Sequence, residues 1–130
     1  MIKIILLSFS DGRARVHQSL NDYITKCRDV LREALEKTGE VAIACPEETI
    51  ASNKLASEVA SWALAQKPDA CILNIPVFAF PNFAGIAARL LRGIPLLAIS
   101  PANGLYPGLG GLQAAVGMIR QAGGQCEKVW

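Results

Sequence analysis

Short unbroken apolar runs alternate along this chain with stretches in which apolar residues recur every three or four positions. Successive strands and helices of a parallel sheet produce that alternation. The runs predict five strands, at about residues 2–8, 41–45, 70–75, 95–100 and 125–130. They are apolar at successive positions rather than alternate ones, as strands covered by helices on both faces must be.

Four helices are expected between them. In the first, Val16, Leu20, Tyr23, Ile24, Cys27, Val30, Leu31, Ala34 and Leu35 recur at helical spacing, Arg28, Arg32, Glu33 and Glu36 form the solvated face, and Gly39 can end it. The second is expected over about 47–66, with Pro46 before it, acidic residues in its first turn and Lys67-Pro68 stopping it. The third covers about 82–92 and the fourth about 108–122, ending at Gly123-Gly124.

Right-handed crossovers with an early reversal of winding give strand order 2-1-3-4-5. That is a doubly wound, Rossmann-like α/β fold of the flavodoxin type, three layers deep. Helices two, three and four then cover one face and helix one the other, with the carboxyl-terminal helix of such folds absent. The outer face of strands three to five is expected to be bare and apolar, and to meet identical subunits or downstream domains of a longer parent chain. With no linker, repeat or low-complexity segment, one domain fills residues 1–130.

Composition narrows the function classes. Apolar residues make up 52% and charged residues 18%, and no apolar run is long enough to cross a bilayer or serve as a signal peptide, so a cytoplasmic protein without a membrane partner is expected. A net charge of +2 with the two signs intermixed argues against a nucleic-acid partner. Cys27, Cys45, Cys71 and Cys126 form no metal-type spacing and are expected to be reduced, mostly buried thiols.

Ligands of open α/β sheets bind outside the strand carboxyl ends, where winding reverses. Three loops meet there, at residues 8–13, 76–83 and 100–104. In the first, Ser10 or Asp11 can cap helix one and Gly12 permits a tight turn. Arg13 stands at a helix start, where the dipole disfavours a cation, so an external hydroxyl or carboxylate partner is expected for it. Arg15 is a secondary candidate. His17, the sole histidine, has no Ser, Cys or acidic partner nearby in sequence, and a surface or packing role is expected for it. The second loop carries Phe78, Phe80 and Phe83 between prolines, and can either wall a sugar or aromatic site or pack over the helix ends. Asn103 in the third loop completes the candidate substrate-contacting set of Asp11, Arg13, Arg15, Phe78, Phe80 and Asn103.

The run Pro107-Gly108-Leu109-Gly110-Gly111-Leu112 meets neither phosphate-loop spacing, and close packing is the expected reason for its glycines. A receiver-type phosphoacceptor site needs acidic residues where Ser8 and Asn74 stand. Neither a carboxylate pair, a nucleophile elbow nor a set of metal ligands is present, so no catalytic residue and no cofactor is expected within this chain.

The stretch Leu6-Leu7-Ser8-Phe9-Ser10-Asp11-Gly12-Arg13-Ala14-Arg15-Val16-His17, the loop Asn74-Ile75-Pro76-Val77-Phe78 and the strand Gly93-Ile94-Pro95-Leu96-Leu97-Ala98-Ile99-Ser100 together resemble the amino-terminal domain of the L-fucose isomerase family. The resemblance implies a fragment of a cytoplasmic, oligomeric aldose–ketose isomerase whose Mn²⁺ ligands and proton-shuttling carboxylates lie in later domains. It further implies that Arg13 donates to sugar oxygens and that Phe78 takes the place of a loop aromatic that is often tryptophan, both reaching into a neighbour's site. The alternative is a free-standing flavodoxin-like module that binds a small anion or nucleotide in the loop around Ser10 and Arg13.

Overall fold

The computed structural model describes residues 1–102 and 105–130. Its strands are β1 (Ile2–Ser8), β2 (Val41–Ala44), β3 (Ala70–Asn74), β4 (Leu96–Ile99) and β5 (Glu127–Val129). Its helices are α1 (Ala14–Glu36), α2 (Asn53–Ala65), α3 (Pro81–Leu90) and α4 (Gly108–Gln121). The strands form one parallel sheet in the order β2-β1-β3-β4-β5, so the doubly wound α/β topology expected from the apolar pattern is the one observed. β1 sits between β2 and β3, with Ile4 paired to Ile43 on one side and Ala70 on the other.

The main core lies on one face of this sheet. Ile5, Leu7, Cys71, Leu73, Leu96 and Ala98 meet small residues of α2 and α3, among them Ala56, Ala60, Ala63, Ala84 and Ala87, together with Leu112, Val116 and Ile119 of α4. Alanine at these contacts lets the helix axes approach the strands closely. On the opposite face α1 covers Leu6, Ile43 and Ile72 with the half-buried Leu31 and Leu35.

Three expectations need correction. Helix α2 starts at Asn53 rather than near Glu47, because Ile50 is drawn into an extended bridge beside Phe9, through Ile50 N to Ser8 O at 2.8 Å and Ser10 N to Ile50 O at 2.9 Å. Ser52 then caps the helix by accepting from Leu55 N. Val30, at 61% exposed, and Ala34 lie off the packed side of α1, so its apolar stripe is wider than the surface it covers. The bare sheet face is also narrower than expected. Ile72 and Asn74 of β3 are buried, and only the β4–β5 side is partly open, with Leu97 and Ile99 half-buried and Val129 44% exposed. The chain leaving β4 reaches this side, where the Tyr106 ring rests on Tyr23 of α1 with 4.5 Å between centroids.

Candidate functional site

At the carboxyl ends of β1 and β3, where winding reverses, Asn74 Nδ2 donates to Ser8 Oγ at 3.0 Å, and both residues are buried. A neutral polar pair thus fills the place where a receiver site would hold carboxylates. Beyond it the loop after β1 is tied down, since Phe9 N donates to Asn74 O and Ser10 N to Ile50 O.

The next residues build a braced arginine. Arg13 is the N-cap of α1 and no side chain caps the helix, so neither Ser10 nor Asp11 has the capping role expected of it. Asp11, almost fully buried, instead takes three donors from Arg13: the backbone N–H at 2.8 Å, Nε at 3.0 Å and Nη2 at 2.8 Å. The paired hydrogen bonds with Arg13 hold the Asp11 carboxyl below its ordinary range against the opposing push of burial, and Asp11 raises the Arg13 guanidinium in return. Arg13 therefore has an internal partner where an external one was expected. Its side chain is still 69% exposed, and Asp11 engages only two of its five guanidinium N–H donors, leaving three without another acceptor among the described residues.

Ser10 carries a contact that sequence reasoning missed. Its fully buried Oγ is hydrogen-bonded to Nδ1 of His17 at 2.8 Å. Helical side chains lean toward the helix amino terminus, and His17 lies in the first turn of α1, so it reaches back over the loop. That lean was the available signal; proximity in sequence was the wrong test.

Gly12 has no positive φ, so a tight turn is not what requires it. A Cβ there would stand 2.6 Å from Cδ2 and Cε2 of Phe80 and 3.0 Å from Cζ of Phe83. Phe80 and Phe83 stack with centroids 5.4 Å apart, Phe83 buried and Phe80 half-buried, so these two rings clamp the first loop against the third-strand loop. Phe78 is the aromatic left open to solvent, at 43% exposed.

Arg15 is exposed, and Asn103 lies outside the described residues. The site as described is an open edge bearing Arg13 and Phe78 on separately anchored loops. A broad groove of about 1490 Å³ lies elsewhere, between α3 and the end of α4, lined by Arg89, Arg92, Met118 and Cys126, and holds none of the expected residues.

The four cysteines are free, as expected, and burial pushes the Cys71 thiol up to about 11 and raises Cys45 and Cys126 as well, which makes these three poor nucleophiles near neutral pH. Among the described residues no group of three or more His, Cys, Asp or Glu comes together to hold a metal ion, and no helix is long and apolar enough to cross a membrane.

The family described as "L-fucose isomerase, first N-terminal domain" matches residues 1–130. None of the curated proteins compared with the chain matches it. Among solved structures it is similar to an ABC sugar transporter (periplasmic sugar binding protein) from Legionella pneumophila, with 16% identity and a TM-score of 0.44 over 99% of this chain. The chain spans 60% of the length of that structure, a likeness too slight to carry an argument about function.

Proposed function

Since the chain belongs to the L-fucose isomerase family, as its first N-terminal domain, we propose that it is the substrate-recognition and assembly part of an aldose–ketose isomerase. Arg13 donates to sugar hydroxyls, and Phe78 offers its exposed ring as an apolar wall. The observation that carries this reading is the Asp11–Arg13 fork. A buried carboxylate fixes one edge of an exposed guanidinium and leaves its other N–H groups presented to solvent at the carboxyl edge of the sheet. The brace fixes the guanidinium before a substrate arrives, so less freedom is lost when its solvent-facing N–H groups bond a sugar hydroxyl.

Mn²⁺ and the proton-shuttling carboxylates belong, on this reading, to other polypeptide. The described residues of this chain do not form a metal site, and Asp11 is already committed to Arg13. The partly open β4–β5 face, with Leu97, Ile99 and Val129, is where that polypeptide or an identical subunit packs, and the assembled enzyme works in the cytoplasm. The alternative of an anion or nucleotide held in the first loop is less well served. The Phe9, Ser10 and Arg13 amides are already bonded within the chain, and the Asp11 carboxylate opposes a second negative charge.

Joining residues 1–130 to the metal-bearing domains of an L-fucose isomerase should give Mn²⁺-dependent interconversion of L-fucose and its ketose, while residues 1–130 alone give none. Turnover by the chain alone, or an assembled and folded joined enzyme without activity, would contradict the proposal.

A further inference from the structure

We propose that His17 is a second sugar-contacting residue beside Arg13, and that Ser10 is the positioning residue that aims its ring. This role rests on the substrate-recognition reading of the same edge and extends it: Arg13 answers one hydroxyl of a neutral sugar, and the His17 Nε2–H answers another.

The loop after β1 braces two side chains of α1 rather than one. Its consecutive residues Ser10 and Asp11 are both buried. Asp11 holds one edge of the Arg13 guanidinium, and Ser10 Oγ holds Nδ1 of His17 at 2.8 Å. The loop itself is fixed, since Ser10 N donates to Ile50 O at 2.9 Å and the rings of Phe80 and Phe83 close on Gly12. His17 N donates to Arg13 O at 2.9 Å, which sets the two residues one helical turn apart at the start of α1. One anchored loop thus presents a guanidinium and an imidazole at the same edge of the sheet.

The need of the Ser10 hydroxyl for an acceptor fixes the tautomer. Among the described residues its proton has no acceptor other than His17. With the ring proton on Nδ1, that buried hydroxyl proton would go unanswered, at a cost. Ser10 therefore donates to Nδ1, and the ring proton sits on Nε2. His17 is half-buried, and its Nε2 has no partner among the described residues and is not sealed from solvent. The outward N–H groups of Arg13 and His17 match the acceptor oxygens of a polyol. Asp11 offsets the charge of Arg13, so the pair suits a neutral sugar better than an anion.

The test uses the enzyme completed with its metal-bearing domains. His17→Asn removes Nε2 but places an amide oxygen where Nδ1 stood, so Ser10 keeps an acceptor and the melting temperature should stay close to that of the parent. Its KM for L-fucose should rise about three- to tenfold, the loss of one hydrogen bond to a hydroxyl, with kcat within a few-fold. Ser10→Ala keeps the imidazole without its tether and should raise KM by a smaller factor, again at near-parental kcat. Monodeoxy analogues of L-fucose locate the contact. For the analogue that lacks the hydroxyl bound by His17, the parent and His17→Asn should share one KM, and that hydroxyl should differ from the one at which Arg13→Ala loses its effect. An unchanged KM in His17→Asn or in Ser10→Ala, with Arg13→Ala still impaired, would overturn the proposal and leave the substrate-recognition reading standing. Unchanged KM in all three variants would overturn that reading and the proposal with it. An equal effect of His17→Asn on every analogue would also overturn the proposal, because a purely structural role is blind to which hydroxyl is missing.

Discussion

A hydroxyl can be buried without penalty only when another group answers it, and for Ser10 that group is His17. Removing one partner strands the other. His17→Ala leaves the Ser10 oxygen buried and unpaired and should cost about 1–3 kcal/mol, whereas Ser10→Ala removes the orphan itself and should cost roughly 1 kcal/mol or less. Urea unfolding of the two variants and of the double variant checks this. The double variant should be no less stable than His17→Ala alone, and single-variant losses that simply add in the double variant would show that the bond contributes little. At this scale much of the site was legible as residue type but not as partnership. Arg13 and Phe78 stand out in the sequence because a cation at a helix start and an aromatic in a loop are each out of place. That Asp11 would brace Arg13, or that Phe80 would stack on Phe83 over Gly12, depends on side-chain directions that spacing does not encode.

Elements were legible where local preference and tertiary demand agree. Gly39 and Gly123 adopt positive φ next to the ends of α1 and α4, as a terminating glycine should. The start of α2 was misplaced because Pro46 and the acidic pair after it look like a helix opening, while the sheet claims Ile50 as an extended partner for Phe9. Residues 47–51 thus show tertiary pairing overriding a good local signal. Helix α4 shows the converse in its glycines, which differ in what surrounds them. Gly111→Ala forces a methyl into Val77 O and should destabilise the protein by about 3 kcal/mol. Gly117, in the same helix with open space around it, should gain up to about 1 kcal/mol on substitution by Ala. Denaturant midpoints of the two variants should move in opposite directions, and a shared direction would contradict the close docking of the first turn.

For the molecule as a whole, the parallel order β2-β1-β3-β4-β5 follows from unbroken apolar runs and right-handed crossovers, and both are readable without coordinates. The extent of the uncovered face was less readable. Ile72 and Asn74 are buried by a helix whose reach periodicity does not give, and Tyr106 crosses to meet Tyr23 from a loop that has no periodicity at all. What remains is a sheet whose carboxyl edge presents Arg13 and Phe78 outward, without an enclosing wall among the described residues. The account therefore requires that Arg13 act on substrate binding rather than on the fold or the chemical step. In the enzyme completed with its metal-bearing domains, steady-state kinetics of Arg13→Ala on L-fucose should show KM raised roughly tenfold or more, the loss of a charge-assisted hydrogen bond, with kcat within a few-fold of the parent. An unchanged KM would contradict it.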